Sequence, residues 1–380
     1  MAIDNKNKVL NVPHLRFPEF SGEWVTCTLG DITSSFNLRN KDEVPYPMYS
    51  VTNNRGFIPQ SEQFEDREMI GEDAKAYKII HKDDFAYNPA RINVGSIAKY
   101  NGVHPCMISS LYVCFKAGLQ VDKDWLMQLL KTSKMNFYYN INGEGGVRVY
   151  LFYPNFARIR TSYPATLTEQ KKIAHFLSLL DERIATQNKI IEDLKILKSA
   201  IAEKLFNATD GDILSLSDVC IIQKGKQVNG EDLSETGKFY VMNGGIEPSG
   251  YYDQCNTPAN TISISEGGNS CGYIQYNRDA FWSGGHCYTL NNIQPNVCKL
   301  YLYQYLKSQE SSIMKLRIGT GLPNIQKKDL EKFHILLPSK AIQESVSAFL
   351  TTIDRKITNE DMLLRRFQKG KQYLLRQMFI

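Results

Sequence analysis

A repeated helical segment constrains this 380-residue chain more than any other feature. Two strongly helical segments, 168–206 and 341–379, align without a gap when one is shifted by 173 residues. Gln170, Phe176 and Asp181 of the first segment recur as the same residue types at 343, 349 and 354. An internal repeat determines the architecture of a chain, because each copy folds as a comparable unit. The sequence therefore predicts the order globule, helix, globule, helix.

Both helical segments carry the same heptad pattern. Alternate steps of four and three residues from Ile173 and from Val346 meet an apolar side chain at eight of ten positions in each segment. A long amphipathic helix on a globular core would show a similar stripe, but a matched pair favours mutual packing. We predict a seam between the two helices that includes the apolar residues Ile173, Leu177, Leu180, Ile184, Ile191, Leu194, Val346, Leu350, Ile353, Ile357, Leu364 and Phe367.

The regions around the helices differ from them in composition. They are rich in Gly, Asn, Tyr and β-branched residues and are interrupted by proline and short turn clusters, which is typical of short strands. They resemble each other only in fragments: Leu29–Ile32 matches Leu216–Val219, and 95–101 matches 272–277 with one residue skipped. Similar helices beside diverged globules favour a shared scaffold with two different recognition surfaces.

Composition excludes several classes of protein. No stretch approaches the ~18 apolar residues that a membrane span needs, and the polar opening at 1–6 lacks the apolar run of a secretion signal. The eight cysteines form no C-x-x-C pair and the six histidines are scattered, so no metal site is expected. Unpaired thiols suit a reducing compartment, and we expect a cytoplasmic protein. The net charge of +5 is a weak indication of nucleic acid, and the globules are nearly neutral.

Three short motifs are similar to catalytic ones but lack the required context. Residues 268–272 match G-x-S-x-G, yet that nucleophile turn must open a helix, and 273–276 predict a strand. Residues 87–90, Tyr-Asn-Pro-Ala, lack the second proline and the aromatic residue of the amino-methyltransferase site. The glycine clusters at 143–146 and 319–321 do not continue to Gly-Lys-Ser/Thr, as a P-loop would. We therefore predict no catalytic site in this chain.

The order of the motifs resembles the specificity subunit of type I restriction-modification enzymes. The resemblance covers essentially the whole chain. It rests on Pro164 and the run 168–174 leading into Phe176, Leu177 and Asp181, on the opening run 15–24, and on 319–325. The second helix departs from the family pattern at 341–344, where Ala-Ile-Gln-Glu stands in place of the usual Glu-Gln.

The resemblance implies an α/β (α+β) fold with a pseudo-two-fold internal repeat. Target recognition domains at 1–166 and 212–338 would be joined by a central helical region, 167–211, and a C-terminal one, 339–380. The two long helices would pair as an antiparallel coiled coil. The family role is a non-catalytic, sequence-specific DNA-binding subunit that recognises a bipartite asymmetric site and directs its methylation or restriction.

The implied partners are double-stranded DNA, two methylation subunits and restriction/translocase subunits. The chain itself would hold no cofactor, because S-adenosylmethionine, ATP and Mg²⁺ would be bound by the partner subunits. Two other functions stay open at this stage. One is a structural coiled-coil protein with two β-rich ligand-binding heads, and the other is a fused enzyme with its own methyltransferase site. A gel shift with and without a methylation subunit would separate the three.

Polar side chains on turns and strands of the globules are the candidates for DNA reading. Arginine suits guanine, and asparagine or glutamine suits adenine, through paired hydrogen bonds to base edges. For any one residue, a turn-forming role or a phosphate contact is an equal alternative. The predicted DNA-binding residues are Asn53, Arg55, Asn88, Arg91, Asn93, Ser96 and Lys99 in the first globule, and Asn243, Asn269, Ser270, Tyr273, Gln275 and His286 in the second.

Overall fold

The computed structural model describes residues 10–63, 74–145, 149–319 and 321–380. The polar opening at 1–6, Gly146 and Thr320 lie outside the described residues. The chain divides into two compact units: unit 1 comprises 1–186 and 364–380, and unit 2 comprises 187–363. The division falls inside the two long helices. The four predicted regions instead follow the change from strands to helix, and their boundaries stay a prediction.

Short antiparallel strands form the sheets of unit 1. They are β1 (Val25–Thr28), β2 (Thr33–Phe36), β3 (Tyr49–Thr52), β4 (Gly56–Pro59), β5 (Lys78–Ile80), β6 (Phe85–Tyr87), β7 (Ile97–Lys99), β8 (Cys106–Ile108), β9 (Val113–Ala117) and β10 (Arg160–Tyr163). The main sheet has the order β2-β9-β6-β7, and the pairs β1-β10, β3-β4 and β5-β8 surround it. Its strands bury aromatic side chains such as Phe85, Tyr87 and Phe115 completely.

Several helices of unit 1 begin where a polar side chain caps the free N–H groups. At α3, for example, Asp122 accepts hydrogen bonds from the backbone N–H of Asp124 and of Trp125, both at 3.0 Å. The helices are α1 (Leu29–Ile32), α2 (Gln60–Gln63), α3 (Lys123–Leu130), α4 (Ser133–Asn142), α5 (Tyr153–Ala157) and α6 (Leu167–Asn207), with 3₁₀ turns at Ala74–Ala76 and Ile92–Val94. The long helix α6 continues into unit 2.

Unit 2 repeats the sheet plan of unit 1. Its strands are β11 (Asp212–Ser215), β12 (Ile221–Lys224), β13 (Phe239–Met242), β14 (Tyr251–Tyr252), β15 (Thr261–Ser265), β16 (Ile274–Asn277), β17 (Trp282–Ser283), β18 (Cys287–Asn291) and β19 (His334–Leu337). The main sheet is again four antiparallel strands, in the order β12-β18-β15-β16, and β11 pairs with β19. Strand β13 pairs with β14 and, in parallel, with β17.

The helices of unit 2 lead to the second long helix. They are α7 (Leu216–Val219), α8 (Lys299–Ser308), α9 (Glu310–Met314), α10 (Lys327–Glu331) and α11 (Lys340–Met378), with a 3₁₀ turn at Gly230–Asp232. The aligned sequence fragments occupy equivalent places. Helices α1 and α7 each follow the first strand of a unit and start with a capping box, and β7 and β16 are equivalent edge strands. The predicted mixed fold, with two sheet-rich parts and two long helices, is confirmed.

Each unit has its own aromatic core. In unit 1, the Phe379 ring from the end of α11 stacks on Trp125 with a centroid distance of 5.8 Å and meets Trp24 edge-on at 6.3 Å. In unit 2, Phe206 at the end of α6 meets Tyr301 and Tyr305 of α8 edge-on, at 5.7 Å and 5.2 Å. Phe206 and Phe379 are equivalent in the helical repeat, so each long helix ends in the same kind of aromatic contact.

The heptad seam is buried as predicted. All twelve predicted apolar members are buried or half-buried, and Leu177 and Leu350 are completely buried. At the middle of the walk, the polar positions pair with each other: Gln187 donates from Nε2 to the Glu360 backbone oxygen at 3.3 Å and to its carboxylate. The two helices therefore contact along the stripe that the periodicity predicts.

The remaining polar positions of the seam form ion pairs. In unit 1, Lys371 of α11 contacts the carboxylate of Asp181 of α6. In unit 2, Lys198 of α6 lies 2.6 Å from Asp354 of α11. In each unit, a residue from the first half of one helix meets a residue from the second half of the other. The helices are therefore antiparallel within each unit.

A buried glutamine attaches the start of each long helix to its unit. Gln170 accepts from the backbone N–H of Asp122 at 2.6 Å, and Gln343 accepts from that of Cys298 at 2.7 Å. Both donate from Nε2, at 2.8 Å, to the carbonyl of the proline that precedes the helix. Both side chains are almost completely buried, so these hydrogen bonds take the place of those that the amides would make with water.

Within the described ranges, no helix is both long enough and apolar enough to cross a membrane.

Candidate nucleic-acid interface

The hairpin between β3 and β4 carries two of the predicted residues, Asn53 and Arg55, in its turn. The Arg55 backbone N–H donates to Thr52 Oγ1, which fixes the turn. Its guanidinium is exposed and pairs with Glu62 at 2.7 Å. An exposed ion pair of this kind contributes little to stability, so the guanidinium can exchange its carboxylate for a phosphate or a base edge.

The loop between β6 and β7 is held by two of the predicted residues. Asn88 Oδ1 accepts from the Ala90 backbone N–H at 3.0 Å, so its side chain shapes a turn. Ser96 is 1% exposed and donates from Oγ to the Val51 carbonyl at 2.7 Å. A hydroxyl this buried is not presented to DNA in this conformation, so Ser96 is a weak candidate for DNA contact. Its role is to bind this loop to β3.

Lys99 is more constrained than its position in an edge strand suggests. Its side chain is 11% exposed and its Nζ lies between the carboxylates of Asp124 and Asp83. It lines a groove of about 960 Å³ that also includes Arg55, Lys131 and Lys171. The last two lysines were not among the predicted residues. Because two carboxylates compensate the charge of Lys99, it is a weaker candidate for DNA contact than Arg55, Lys131 and Lys171.

Arg91 and Asn93 lie at the surface of the same loop. Arg91 is exposed, and its guanidinium has no carboxylate partner in the part of the chain that the structure describes. Asn93 donates from Nδ2 to Asn140 Oδ1 at 3.0 Å. A second groove, of about 480 Å³, brings Asn93 together with Asn53 and with Arg376 of α11. This groove unites two predicted asparagines beside a cation.

In unit 2, three loops meet at one edge of the main sheet. Asn243 follows β13, and its Oδ1 accepts from the backbone N–H of His286, which precedes β18, at 3.1 Å. Ser265, at the end of β15, donates to the Gly244 carbonyl at 2.6 Å. Asn269 is exposed on the turn that follows β15. We call the segments 243–250, 266–270 and 284–286 the loop edge of unit 2.

Glycines allow the segments of the loop edge to approach each other. A Cβ on Gly284 would lie 2.6 Å from Asn243 Oδ1, which is closer than atoms can pack. Gly244 has a φ of +84°, a conformation that disfavours other residues. The surface that these glycines shape carries Asn243, Asn269 and His286, with Ser270 half-buried beside them. Polar side chains on a rigid loop framework are suited to recognition.

Two predicted residues of unit 2 are partly withdrawn from the surface. Tyr273 is half-buried beneath Lys307, whose ammonium lies 3.9 Å from the ring centroid. Burial, and after it the Glu310 carboxylate, raises the pKa of Tyr273. Gln275 lies in β16 with its Oε1 buried, so that oxygen cannot accept a hydrogen bond from DNA in this conformation. Neither residue is a strong candidate for base reading.

Glu266 is a residue of the loop edge that the sequence did not reveal. Its Oε1 accepts from Lys224 Nζ at 2.6 Å and from the Tyr288 hydroxyl at 3.0 Å. Burial, together with the hydrogen bond to Glu266, raises the pKa of the Tyr288 phenol well above its ordinary value. In the sequence Glu266 only precedes two glycines, and no pattern links it to a lysine 42 positions away.

Comparison with known proteins finds similarity over part of the sequence. Residues 210–365 match the type I restriction modification DNA specificity domain. A putative type I specificity subunit of Mycoplasma genitalium is 34% identical over 160 residues, which are 42% of this chain and 42% of the relative. The C-terminal part of this chain is thus similar to type I specificity subunits. The aligned segment thus spans less than half the length of that relative.

Two further similarities extend over nearly the whole chain. A putative type I restriction enzyme specificity subunit of Methanocaldococcus jannaschii is 22% identical over 94% of this chain and 93% of its own length. The crystal structure of an S subunit from M. genitalium covers 97% of this chain and 99% of that one, with a TM-score of 0.66 and 18% identity. At this identity, the structural match shows that the fold of a specificity subunit is shared.

Proposed function

We propose that this chain is the specificity subunit of a type I restriction-modification complex and recognises a bipartite, asymmetric DNA site. Unit 1 reads one half of the site and unit 2 reads the other. The observation that carries the proposal is the repeated sheet plan with different side chains at equivalent places. The loop before β7 carries Arg91 and Asn93, whereas the loop before β16 carries Asn269 and Ser270. Different donors and acceptors select different bases.

The chain directs chemistry that other subunits perform. It has a non-catalytic role, and its partners are two methylation subunits and the restriction/translocase subunits. The partners bind S-adenosylmethionine, ATP and Mg²⁺. The match of residues 210–365 to the type I restriction modification DNA specificity domain supports this division of labour. A cytoplasmic location fits the eight cysteines, all of which have unpaired thiols.

The methylation pattern of a host that expresses the chain with its methylation subunits tests this function. We expect one motif made of two unlike half-sites with a degenerate gap between them. Replacing 212–338 by the equivalent domain of a relative should change one half-site and leave the other unchanged. A palindromic motif, or a continuous one without a gap, would be incompatible with two independent readers.

A gel shift provides a second test in solution. The full-length chain, alone and together with a methylation subunit, is mixed with duplexes that contain the motif or a scrambled version. Retention of the motif duplex over the scrambled one is the expected result. Equal retention of both duplexes would show binding without sequence recognition.

A further inference from the structure

Glu266 places a carboxylate beneath the exposed loop edge of unit 2. Its side chain is 12% exposed, and a buried charge costs free energy unless partners compensate for the lost water. Lys224 and Tyr288 both donate to Oε1. The other oxygen, Oε2, is buried and accepts no hydrogen bond from the described residues. The polar side chain beside this oxygen is His286, whose Nδ1 lies 3.4 Å away.

His286 is held in place by its backbone as well as by its ring. Its N–H donates to Asn243 Oδ1 at 3.1 Å, and its carbonyl accepts from the Glu266 N–H at 2.9 Å. The side chain nevertheless remains 62% exposed. A carboxylate beside Nδ1 favours a proton on that nitrogen and sets the orientation of the ring, as it does in other carboxylate–histidine pairs. The second ring nitrogen, Nε2, stays available for a ligand.

The neighbours of this pair are one cation and one neutral hydrogen-bond donor. Lys224 of β12 compensates the charge of Glu266 from one side, and Tyr288 of β18 stays a neutral donor because its pKa is raised. In the described part of unit 2, Glu266 is the only carboxylate in contact with the His286 ring. The His286 ring therefore lies with Nδ1 towards a carboxylate below it and with most of its surface exposed.

On the basis of the proposed function, we propose that His286 is a specificity-determining residue of unit 2 and that Glu266 is the positioning residue that orients it. In the DNA complex, Nδ1 pairs with the Glu266 carboxylate and the Nε2–H donates a hydrogen bond to a guanine in the half-site that unit 2 reads. Guanine is the base that suits a single donor in the major groove, because its N7 and O6 are both acceptors.

The experiment compares variants of the full-length chain, each assembled with its methylation subunits, in selection from a random duplex library. His286→Ala should lower the preference for guanine at one position by about tenfold and leave the other half-site unchanged. Glu266→Gln, which keeps the size of the side chain but removes its charge, should weaken the preference at that same position. The two changes together should have no more effect than His286→Ala alone, because Glu266 acts through His286.

His334→Ala is the matched control, since His334 is an exposed histidine of the same unit in β19. It should leave every position of the selected sequence unchanged, and thermal melting should confirm that all variants are folded. Unchanged base preference in His286→Ala would overturn the inference. So would a Glu266→Gln variant that binds all sequences equally weakly, because a merely structural role predicts that result. If the unmodified complex selects no bipartite sequence, the proposed function itself fails.

Discussion

Single residues of the loop between β6 and β7 differ in their surroundings. Arg91 is exposed without a carboxylate partner among the described residues, whereas Ser96, five positions later, is buried against Val51. Both are polar residues in one loop, and no feature of the sequence distinguishes their roles. The contact that separates them joins residues 45 positions apart, so no local pattern could have distinguished them.

Arg91→Ala should lower the base selectivity at the half-site that unit 1 is proposed to read. Loss of a base contact by a guanidinium lowers the difference in binding free energy between the correct base and the other bases by about 1–3 kcal/mol. Methylation of single-base variants of the site measures the change, with the other half-site as internal control. An equal loss of binding for all sequences would show that Arg91 contacts phosphate and not a base.

Ser96→Ala is the matched change in the same loop. It should lower the free energy of unfolding by about 1–2 kcal/mol, because the Val51 carbonyl loses its buried donor. The selected DNA sequence should not change. Denaturant unfolding gives the free energy, and a variant with altered base preference would return Ser96 to the set of DNA-contacting residues.

Gln170 and Gln343 should be among the most sensitive positions outside the cores. Alanine at either position removes a buried amide and leaves several backbone groups without partners, which should cost about 3 kcal/mol. Glu, which keeps one carbonyl oxygen but loses the Nε2 donor, should also destabilise. Thermal unfolding of the single variants tests the expectation, and a loss below about 0.5 kcal/mol would contradict it.

At the scale of elements, the long helices are where the sequence was most informative. A heptad repeat places its apolar residues on one face by local geometry alone, and the buried stripe of α6 and α11 follows it from Ile173 and from Val346. The partners of the polar positions were not predictable. Which lysine meets which aspartate depends on the direction and register of pairing, and periodicity specifies neither.

The ion pair between Lys198 and Asp354 should show measurable coupling. A double-mutant cycle with Lys198→Met and Asp354→Asn should give an interaction of about 1 kcal/mol in the free energy of unfolding, since both side chains are partly buried. Asparagine keeps an acceptor for Gln304, which donates to Asp354 at 2.7 Å. The equivalent cycle with Lys371→Met and Asp181→Asn is the comparison, and additive effects in both cycles would show that neither pair contributes.

At the scale of the whole molecule, the repeat predicted the order of the parts and the equivalence of their sheets. The short fragments shared by the two globules lie in equivalent strands and helices because they pack against the same framework. The loop edge of unit 2 was only partly foreseen. Asn243, Asn269 and His286 were selected as polar turn residues, but Glu266 and Lys224 become neighbours only after β12, β15 and β18 have paired.

Paired deletion of one heptad from each long helix tests their role in spacing the half-sites. Removing 184–190 and the equivalent 357–363 keeps both seams in phase and shortens each helix by about 10 Å. We expect a methylation motif with unchanged half-sites and a gap shorter by about three base pairs. Deletion from one helix only is the control and should destabilise the chain, because the seam residues then fall out of register. An unchanged gap in a folded double deletion would exclude the spacing role.

The end of α11 also has a consequence for the order in which the chain can fold during synthesis. Trp24 and Trp125 leave the ribosome early, but Phe379, which packs against both, follows all of unit 2. Domains generally fold as their residues emerge from the ribosome. The first globule therefore lacks part of its aromatic core while about two hundred further residues are synthesised. A chain released from a ribosome that stalls within unit 2 would therefore lack part of the aromatic core of unit 1, the unit that is mostly synthesised first.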